Sequence, residues 1–383
     1  MATTFGIEEE FVMLDPVTLA TADARGAVAS LASSRDGVVT KEFFRSQIEH
    51  ATHVCTDALE ALDCLLAFRE RLSSWAREWG LVAAGSGTPP RIGHDSSLSE
   101  DERYARIAAQ VAGIAPEHQI NGLHVHVGIP DRDTGMRASN ALRPWLPILL
   151  AMSANSPFWN GADTGFHSWR AIHGRRWTTS GITPWFADAS AYDDAVARLS
   201  GIGATSDLGT INWNIRLSNA YPTVEIRVFD AQLDAWSAVA LAIVARILVE
   251  HARDRFDPTQ FDVTDAALWH AARYGVSSTL VHPTEGELIP AVDALLLLQR
   301  EVDPHLQTTF ERTCVDGLFA RLAAGSTGAA AQRLARSRGD GALADLYRRS
   351  LTRVPEGSTS RARRMTRLSS PPGMNTAASI VTG

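Results

Sequence analysis

Alternating apolar and charged positions near the start of the chain predict its first strand. Residues 5–15 read FGIEEEFVMLD, with three consecutive glutamates inside an apolar segment. In a strand, successive side chains point to opposite faces, so Glu8 and Glu10 share one face while Glu9 and Phe11 share the other. Two carboxylates about one pleat apart are costly to bury unless a cation neutralises them.

Short apolar or alternating segments bounded by turn residues predict further strands. They lie within residues 40–55, 80–90, 122–130, 210–218 and 222–230. Leucine and tryptophan at helical spacing predict a helix from Asp57, with Thr56 as its N-cap and Gly80 as its end. Further helices are predicted at residues 100–111, 138–154 and 232–256. The second of these is expected to begin near Ser139. Helices are predicted to continue from residue 256 to about residue 349.

The remaining segments lack clear periodicity. Residues 155–212 are rich in Trp, Gly, Ser and Thr, a composition that predicts long ordered loops around a site. From residue 353 the chain is rich in Ser, Thr, Arg, Pro and Gly, so we predict a disordered tail over residues 353–383. Because no repeat or linker precedes the tail, residues 1–352 are predicted to form one large domain.

Composition and charge narrow the class of protein. Of the 383 residues, 45% are hydrophobic and 21% are charged, as is typical of a globular enzyme. A net charge of -7 argues against nucleic acid as a partner. The longest apolar stretches fall short of the roughly 20 residues that span a membrane, and no signal peptide is recognisable. We therefore predict a cytoplasmic protein that does not bind membranes.

Lysine and cysteine usage exclude two kinds of site. Lys41 is the only lysine and does not belong to a Gly-Lys-Ser or Gly-Lys-Thr sequence, so the chain has no P-loop. The three cysteines, Cys55, Cys64 and Cys314, are too few and too scattered for a disulfide framework or a paired-cysteine zinc motif. Any phosphate site must therefore be built without a P-loop.

Several predicted strands carry ionisable residues on one face and apolar residues on the other. The ionisable residues are Glu42 and Glu49, His124 and His126, Arg216, and Glu225 with Arg227. Each segment alone also fits a simpler structure, such as solvated acids on an edge strand, a packed histidine pair or a surface salt bridge. Together they favour a cavity for Mg²⁺ or Mn²⁺ and phosphate groups, because these metals take carboxylate oxygens and arginine binds phosphate bidentately.

Four motifs, in chain order, carry a resemblance to a known family. GIEEEF, GLHVHVGIPD, LPILLAMSANSPFWNGADTGFHSWR and TVEIRVFD resemble the ATP-dependent carboxylate–amine ligases, also called glutamate–cysteine ligase type 2, over about residues 5–350. The resemblance implies an α+β fold of the glutamine synthetase-like type. In such a fold, a curved antiparallel-rich sheet forms a funnel-shaped active site with helices outside.

The resemblance also implies a reaction. ATP would activate a carboxylate, with the γ-carboxyl of glutamate as the candidate, to an acyl phosphate. An amine, with cysteine as the candidate, would then form an amide and leave ADP and phosphate. The implied partners are these small molecules, and the sequence leaves the oligomeric state open, a homodimer included.

Matching the motifs residue by residue assigns candidate roles. The implied ligands of Mg²⁺ or Mn²⁺ are Glu8, Glu10, Glu42, Glu49, His124 and Glu225. Arg227 and Arg216 are the implied catalytic residues and contacts to the nucleotide phosphates, whereas Glu9 is expected to point outward from the site. None of the cysteines is expected to act as a nucleophile.

Three other functions remain open at this point. His124 and His126 on one strand face also fit a metal-dependent hydrolase. A phosphoryl transferase on the same fold would need much the same metal site. A catalytically silent relative could bind nucleotide or amino acid alone.

Overall fold

Strands from distant parts of the chain are joined into one sheet in the computed structural model, which describes residues 3–32, 36–94, 97–252 and 264–354. In chain order the strands are β1 (Phe5–Leu14), β2 (Val38–Lys41), β3 (Gln47–Ala51), β4 (Val82–Ala84), β5 (Gly122–Gly128), β6 (Phe158–Trp159), β7 (Ala162–Asp163), β8 (Ile215–Leu217), β9 (Thr223–Asp230), β10 (Thr279–Val281) and β11 (Leu288–Pro290).

Helices make up most of the remaining described structure. They are α1 (Ala27–Leu31), α2 (Ala58–Glu78), α3 (Glu102–Val111), α4 (Arg132–Leu142), α5 (Leu146–Ser153), α6 (Trp169–Gly174), α7 (Ala189–Gly201), α8 (Ala235–Ala252), α9 (Asp265–Tyr274), α10 (Ala291–Val302), α11 (Thr309–Ala323), α12 (Gly328–Arg336) and α13 (Asp340–Leu351). Short 3-10 helices lie at Ala112–Glu117, Arg143–Trp145, Leu208–Thr210 and Asp303–His305.

The main sheet is built around β1. Its order is β2-β3-β1-β5-β9-β8, with β4 also paired to β1, and the pairings are antiparallel. β3 pairs along one edge of β1, while β5 and β4 pair with successive parts of the other edge. The predicted α+β class with an antiparallel sheet is confirmed.

One face of the sheet is covered by helices. Phe11 and Met13 of β1 form a buried cluster with Phe68 and Leu72 of α2. The apolar helix α8 is buried along residues 235–249 and contacts both β1 and β5. The covered face is therefore the hydrophobic core, and the opposite face is left to the ionisable side chains.

Glu9 lies on the covered face, as strand alternation predicts, but this face is not exposed. Glu9 is buried and pairs with the fully buried Arg69 of α2, whose Nε lies 2.9 Å from Oε2 of Glu9. Arg69 also donates to the backbone oxygens of Gln232 and Leu233, both at 3.0 Å. The expected outward Glu9 is thus part of a buried ion pair that ties β1 to α2.

The start of α2 differs slightly from its prediction. Asp57, not Thr56, is the N-cap, because its Oδ1 accepts hydrogen bonds from the backbone N–H groups of Leu59 and Glu60 at 2.7 and 3.1 Å. Gly80 follows the helix with a positive φ of 67°, which suits glycine because it has no Cβ.

The predicted helix at residues 138–154 is two helices, and the first begins earlier. Asp131 caps α4 by accepting from the backbone of Thr134, and proline at positions 144 and 147 replaces the backbone donors that one continuous helix would need. The segment 155–212, predicted as loops, contains α6, α7 and the hairpin of β6 and β7. The predicted strand at 210–218 is shorter, since β8 covers only three residues.

The described residues up to Thr352 form one compact unit. The predicted tail lies almost wholly outside the described residues, as does the end of the helix predicted at 232–256. Within the described part of the chain, no helix combines the length and the apolar character that crossing a bilayer requires. Cys55, Cys64 and Cys314 are buried free thiols.

Candidate active site

A cavity of about 350 Å³ lies against the ionisable face of the sheet. Among its lining residues are seven of the eight predicted site residues, namely Glu8, Glu10, Glu42, Glu49, His124, Arg216 and Arg227. The eighth, Glu225, is 2% exposed and pairs with both arginines. The fold therefore brings all eight residues together, although they come from five separate segments.

Antiparallel register explains how these side chains meet. Glu8 of β1 lies opposite His124 of β5, and Glu10 lies opposite Glu49 of β3. His126 of β5 lies opposite Glu225 of β9 and thereby joins the same face. Since directly paired residues share a face, each pairing places ionisable groups side by side.

Three carboxylates form the most acidic part of the cavity. One oxygen from each of Glu10, Glu42 and Glu49 lies within 4.8 Å of the others. Burial, together with the charge of Glu10, raises the pKa of Glu42 to about 8. Burial and the charges of Glu8, Glu42 and Glu10 also raise the pKa of Glu49 well above its ordinary value. These acids therefore lack enough positive charge around them to ionise together at neutral pH.

Glu8 has the opposite electrostatic environment. Its carboxylate lies 3.2 Å from Nδ1 of His124 and 3.2 Å from Nε2 of His126. Burial alone would raise the pKa of Glu8, but contacts with these two histidines lower it overall. Burial, helped by the charge of Arg227, lowers the pKa of His124, so this imidazole is neutral and able to bind a metal.

The two predicted phosphate-binding arginines are held differently. Arg216 donates from Nε and Nη2 to both oxygens of Glu225, at 2.6 and 3.1 Å, and from Nη1 to the backbone oxygens of Gly209 and Ile211. Arg227 donates from Nη1 to Glu225, while its Nε and Nη2 have no acceptor among the described residues. Arg227 is therefore the arginine with donors to spare for a ligand in the cavity.

The donor set fits a hard divalent cation. Besides the three carboxylates, Glu8 with Glu49 and His124, and Glu8 with His126 and Glu225, bring one ligand atom each to within 4.8 Å of one another. Mg²⁺ and Mn²⁺ take carboxylate oxygens and tolerate one imidazole. The raised pKa values of Glu42 and Glu49 show that the side chains alone do not neutralise this acid cluster.

The wall facing the sheet contains residues that the sequence did not single out. Arg103 of α3 is held by Asp207, with Nε 2.5 Å from Oδ2. His118 accepts at Nδ1 from the indole N–H of Trp177 at 2.8 Å, and burial lowers the pKa of His118 to about 3. These residues lie in a helix or in irregular segments, where no alternation pattern marks the side chains that reach a site.

A model of the family described as glutamate–cysteine ligase family 2 (GCS2) matches residues 4–349. The chain belongs to this family. A relative from Saccharopolyspora erythraea, provisionally named glutamate–cysteine ligase 2-2, is 38% identical over 347 residues, which are 88% of this chain and 89% of the relative. A second, from Nocardia farcinica and provisionally named glutamate–cysteine ligase 2-1, is 39% identical over 352 residues and covers the same shares.

Solved structures show the same fold at low identity. The glutamate–cysteine ligase of Francisella tularensis in complex with AMP aligns with a TM-score of 0.70 and 13% identity, over 96% of this chain and 92% of that one. A bifunctional glutathione synthetase from Pasteurella multocida aligns with a TM-score of 0.68 and 15% identity, over 91% of this chain and 52% of that one. The predicted glutamine synthetase-like fold is confirmed by these neighbours.

Family membership decides the type of reaction. This member of the glutamate–cysteine ligase 2 family is an ATP-dependent carboxylate–amine ligase. The comparisons do not favour the hydrolase suggested by His124 and His126, nor the phosphoryl transferase. Both histidines instead contact Glu8 on the acidic face.

Proposed function

We propose that the enzyme uses ATP to activate the γ-carboxyl group of glutamate as an acyl phosphate and joins it to an amine, with cysteine as the candidate. The proposed metal ligands for Mg²⁺ or Mn²⁺ are Glu8, Glu10, Glu42, Glu49, His124 and Glu225. Arg227, supported by Arg216, is proposed to bind the transferred phosphoryl group.

One observation supports this proposal above the others. The acid cluster of Glu10, Glu42 and Glu49 and the spare donors of Arg227 line the same cavity. A divalent cation bound by the acids would neutralise the phosphate oxygens of ATP and orient them. A guanidinium group beside them suits the charge that spreads over the transferring phosphoryl group.

Activation is needed because a carboxylate is a poor electrophile. An oxygen of the donor carboxylate attacks the γ-phosphorus, and the bond from that phosphorus to the bridging oxygen of ADP breaks. The amine nitrogen then attacks the acyl carbon and loses a proton, and phosphate leaves with the carboxylate oxygen that formed the bond. No enzyme nucleophile takes part, which agrees with the buried position of the three cysteine thiols.

Isotope transfer tests this pathway. With glutamate labelled by ¹⁸O in the γ-carboxyl group, purified enzyme, ATP, Mg²⁺ and a panel of amines, one label per amide should appear in the released phosphate. The nucleotide product should be ADP. Mass spectrometry of the phosphate and chromatography of the nucleotides measure both outcomes.

Two results would contradict the proposal. AMP and pyrophosphate as products would indicate adenylation of the carboxylate. Amide formed without ¹⁸O in the phosphate would exclude the acyl phosphate. As a control for cysteine chemistry, Cys314→Ser should leave the label transfer unchanged.

A further inference from the structure

The strands that carry His124 and Arg227, β5 and β9, are paired, and their pairing contains a β-bulge. Val125 of β5 pairs with Ile226 of β9, but Leu123 pairs with Phe229, so two residues of β9 face the single residue His124. Such an extra residue bends the strand and redirects a side chain. Arg227 is the first of the two bulged residues, so its direction depends on how the bulge is held.

Arg170 holds the backbone of this bulge. Its Nη2 donates to the carbonyl oxygen of Arg227 at 3.1 Å, and its Nη1 donates to that of Val228 at 3.4 Å. These are the carbonyls of the two bulged residues. Because a bulge disrupts the ladder, its carbonyl groups need partners from outside the sheet.

The position of Arg170 is itself fixed by a buried carboxylate. Asp230, at the end of β9, is 0% exposed and accepts from the hydroxyl groups of Ser156 and Ser168 at 2.6 and 2.8 Å. The hydroxyl oxygen of Ser156 in turn accepts from the backbone N–H of Arg170 at 3.0 Å. The backbone of Arg170 is thereby linked through Ser156 to β9, the strand whose bulged carbonyl groups accept from the Arg170 side chain.

The neighbouring backbone leaves room for this arrangement. A Cβ atom at Gly122 would lie 2.6 Å from Nη2 of Arg170 and 2.8 Å from Nε2 of His124. Glycine therefore allows the guanidinium group of Arg170 to approach β5 as well as β9. A side chain at position 122 would therefore crowd the guanidinium group that holds the β9 bulge.

We propose that Arg170 is a positioning residue that sets the direction of Arg227 by holding the β9 bulge. Arg170 is the last residue of the motif at residues 146–170, which carries part of the family resemblance. Neither the sequence nor the proposed chemistry assigns a role to this motif. In its kinetic consequences this inference rests on the proposed function, since it makes turnover depend on Arg170 through Arg227.

Kinetics of single and double variants test the role. Arg170→Ala should lower kcat by about 10- to 100-fold, as for other residues that orient a reacting group, with little change in KM for ATP or glutamate. Adding Arg170→Ala to Arg227→Ala should lower kcat by less than about threefold further, because the two act as one unit. Arg176→Ala removes contacts with Glu117 and His173 in place of those with the bulge; it is the matched control and should keep wild-type kcat.

Each contrary result overturns the inference. Additive losses in the double variant would show that Arg170 acts independently of Arg227. A raised KM for one substrate with unchanged kcat would show direct contact between Arg170 and that substrate. If Arg170→Ala does not fold, Arg170→Lys gives the same test, because its single ammonium nitrogen cannot reproduce the two-nitrogen fork that reaches both carbonyls.

An NMR measurement decides the question without any activity. The Nε–H signal of Arg227, assigned by its loss in Arg227→Lys, should shift in Arg170→Ala and stay in place in Arg176→Ala. An unchanged signal in Arg170→Ala would refute the positioning role. If the wild-type protein formed no amide, the proposed function would fail, while this measurement would still test the placement of Arg227.

Discussion

At the scale of single residues, strand alternation separates Glu8 and Glu10 from Glu9. We expect Glu8→Gln or Glu10→Gln to lower turnover by about 100-fold or more, because each removes a charged oxygen from the proposed metal site. Soaking crystals in Mn²⁺ should give anomalous density roughly 2.0–2.3 Å from these carboxylates. Wild-type turnover in both variants would contradict the proposed metal site. So would anomalous density that appears only away from these carboxylates.

Arg227 gives a second prediction at this scale. Arg227→Lys keeps the positive charge but loses the planar fork, whose Nε and Nη2 have no acceptor among the described residues. We expect kcat to fall by about 100-fold while the Kd for ATP changes by less than about threefold. Steady-state kinetics and calorimetry measure the two quantities, and near wild-type kcat would reduce Arg227 to a partner of Glu225.

At the scale of elements, the Glu9–Arg69 pair joins β1 to α2. Glu9→Gln leaves the Arg69 guanidinium buried without its counter-charge, so we expect the free energy of unfolding to fall by about 3 kcal/mol. Because Glu9 faces away from the cavity, kcat of the folded enzyme should change by less than about threefold. Chemical denaturation and steady-state kinetics at a temperature below unfolding measure the two effects.

An exposed contact between a glutamate and a histidine provides the control for Glu9. Glu60 and His53 lie 2.9 Å apart with both side chains more than 40% exposed, so Glu60→Gln should change stability by less than about 1 kcal/mol. Equal destabilisation by both changes would show that burial is not the reason for the effect at Glu9. A large loss of kcat in Glu9→Gln would instead link the covered face of β1 to the chemistry.

At the scale of the whole molecule, the acid cluster couples stability to pH and metal. The pKa of Glu42 is about 8 in the folded protein against an ordinary value of 4.5, so the folded state binds its proton more tightly than the unfolded state does. Without metal, this contribution to stability is present at low pH and is lost as the pH rises from about 4.5 to about 8.

Mg²⁺ should therefore raise Tm more at pH 8 than at pH 6, because the cation binds the deprotonated carboxylates. Thermal unfolding with and without Mg²⁺ at the two pH values measures the difference. Glu42→Gln should reduce this difference between the two pH values, because the glutamine side chain has no proton to lose at this position. An equal Tm increase at both pH values in the wild-type protein would contradict the coupling.

Local sequence patterns determined a large part of this protein. Alternation within a strand depends only on residues two positions apart, so the sequence alone placed Glu8 with Glu10 and Glu225 with Arg227 on shared faces. Helical spacing likewise predicted α2, and a long apolar segment predicted α8; these two helices cover the other face. The order of the motifs was enough to indicate the family and the α+β fold.

Tertiary structure decided which strands pair and which distant residues come into contact, and local patterns do not predict either. Local periodicity does not specify which strands pair, and register alone places Glu10 opposite Glu49 and His126 opposite Glu225. Partners distant in the chain, such as Arg69 for Glu9, leave no local signal because their contact depends on how a helix packs across the sheet. The contact of Arg170 with the β9 bulge is of the same kind, because both the bulge and the packing of α6 beside it exist only in the folded protein.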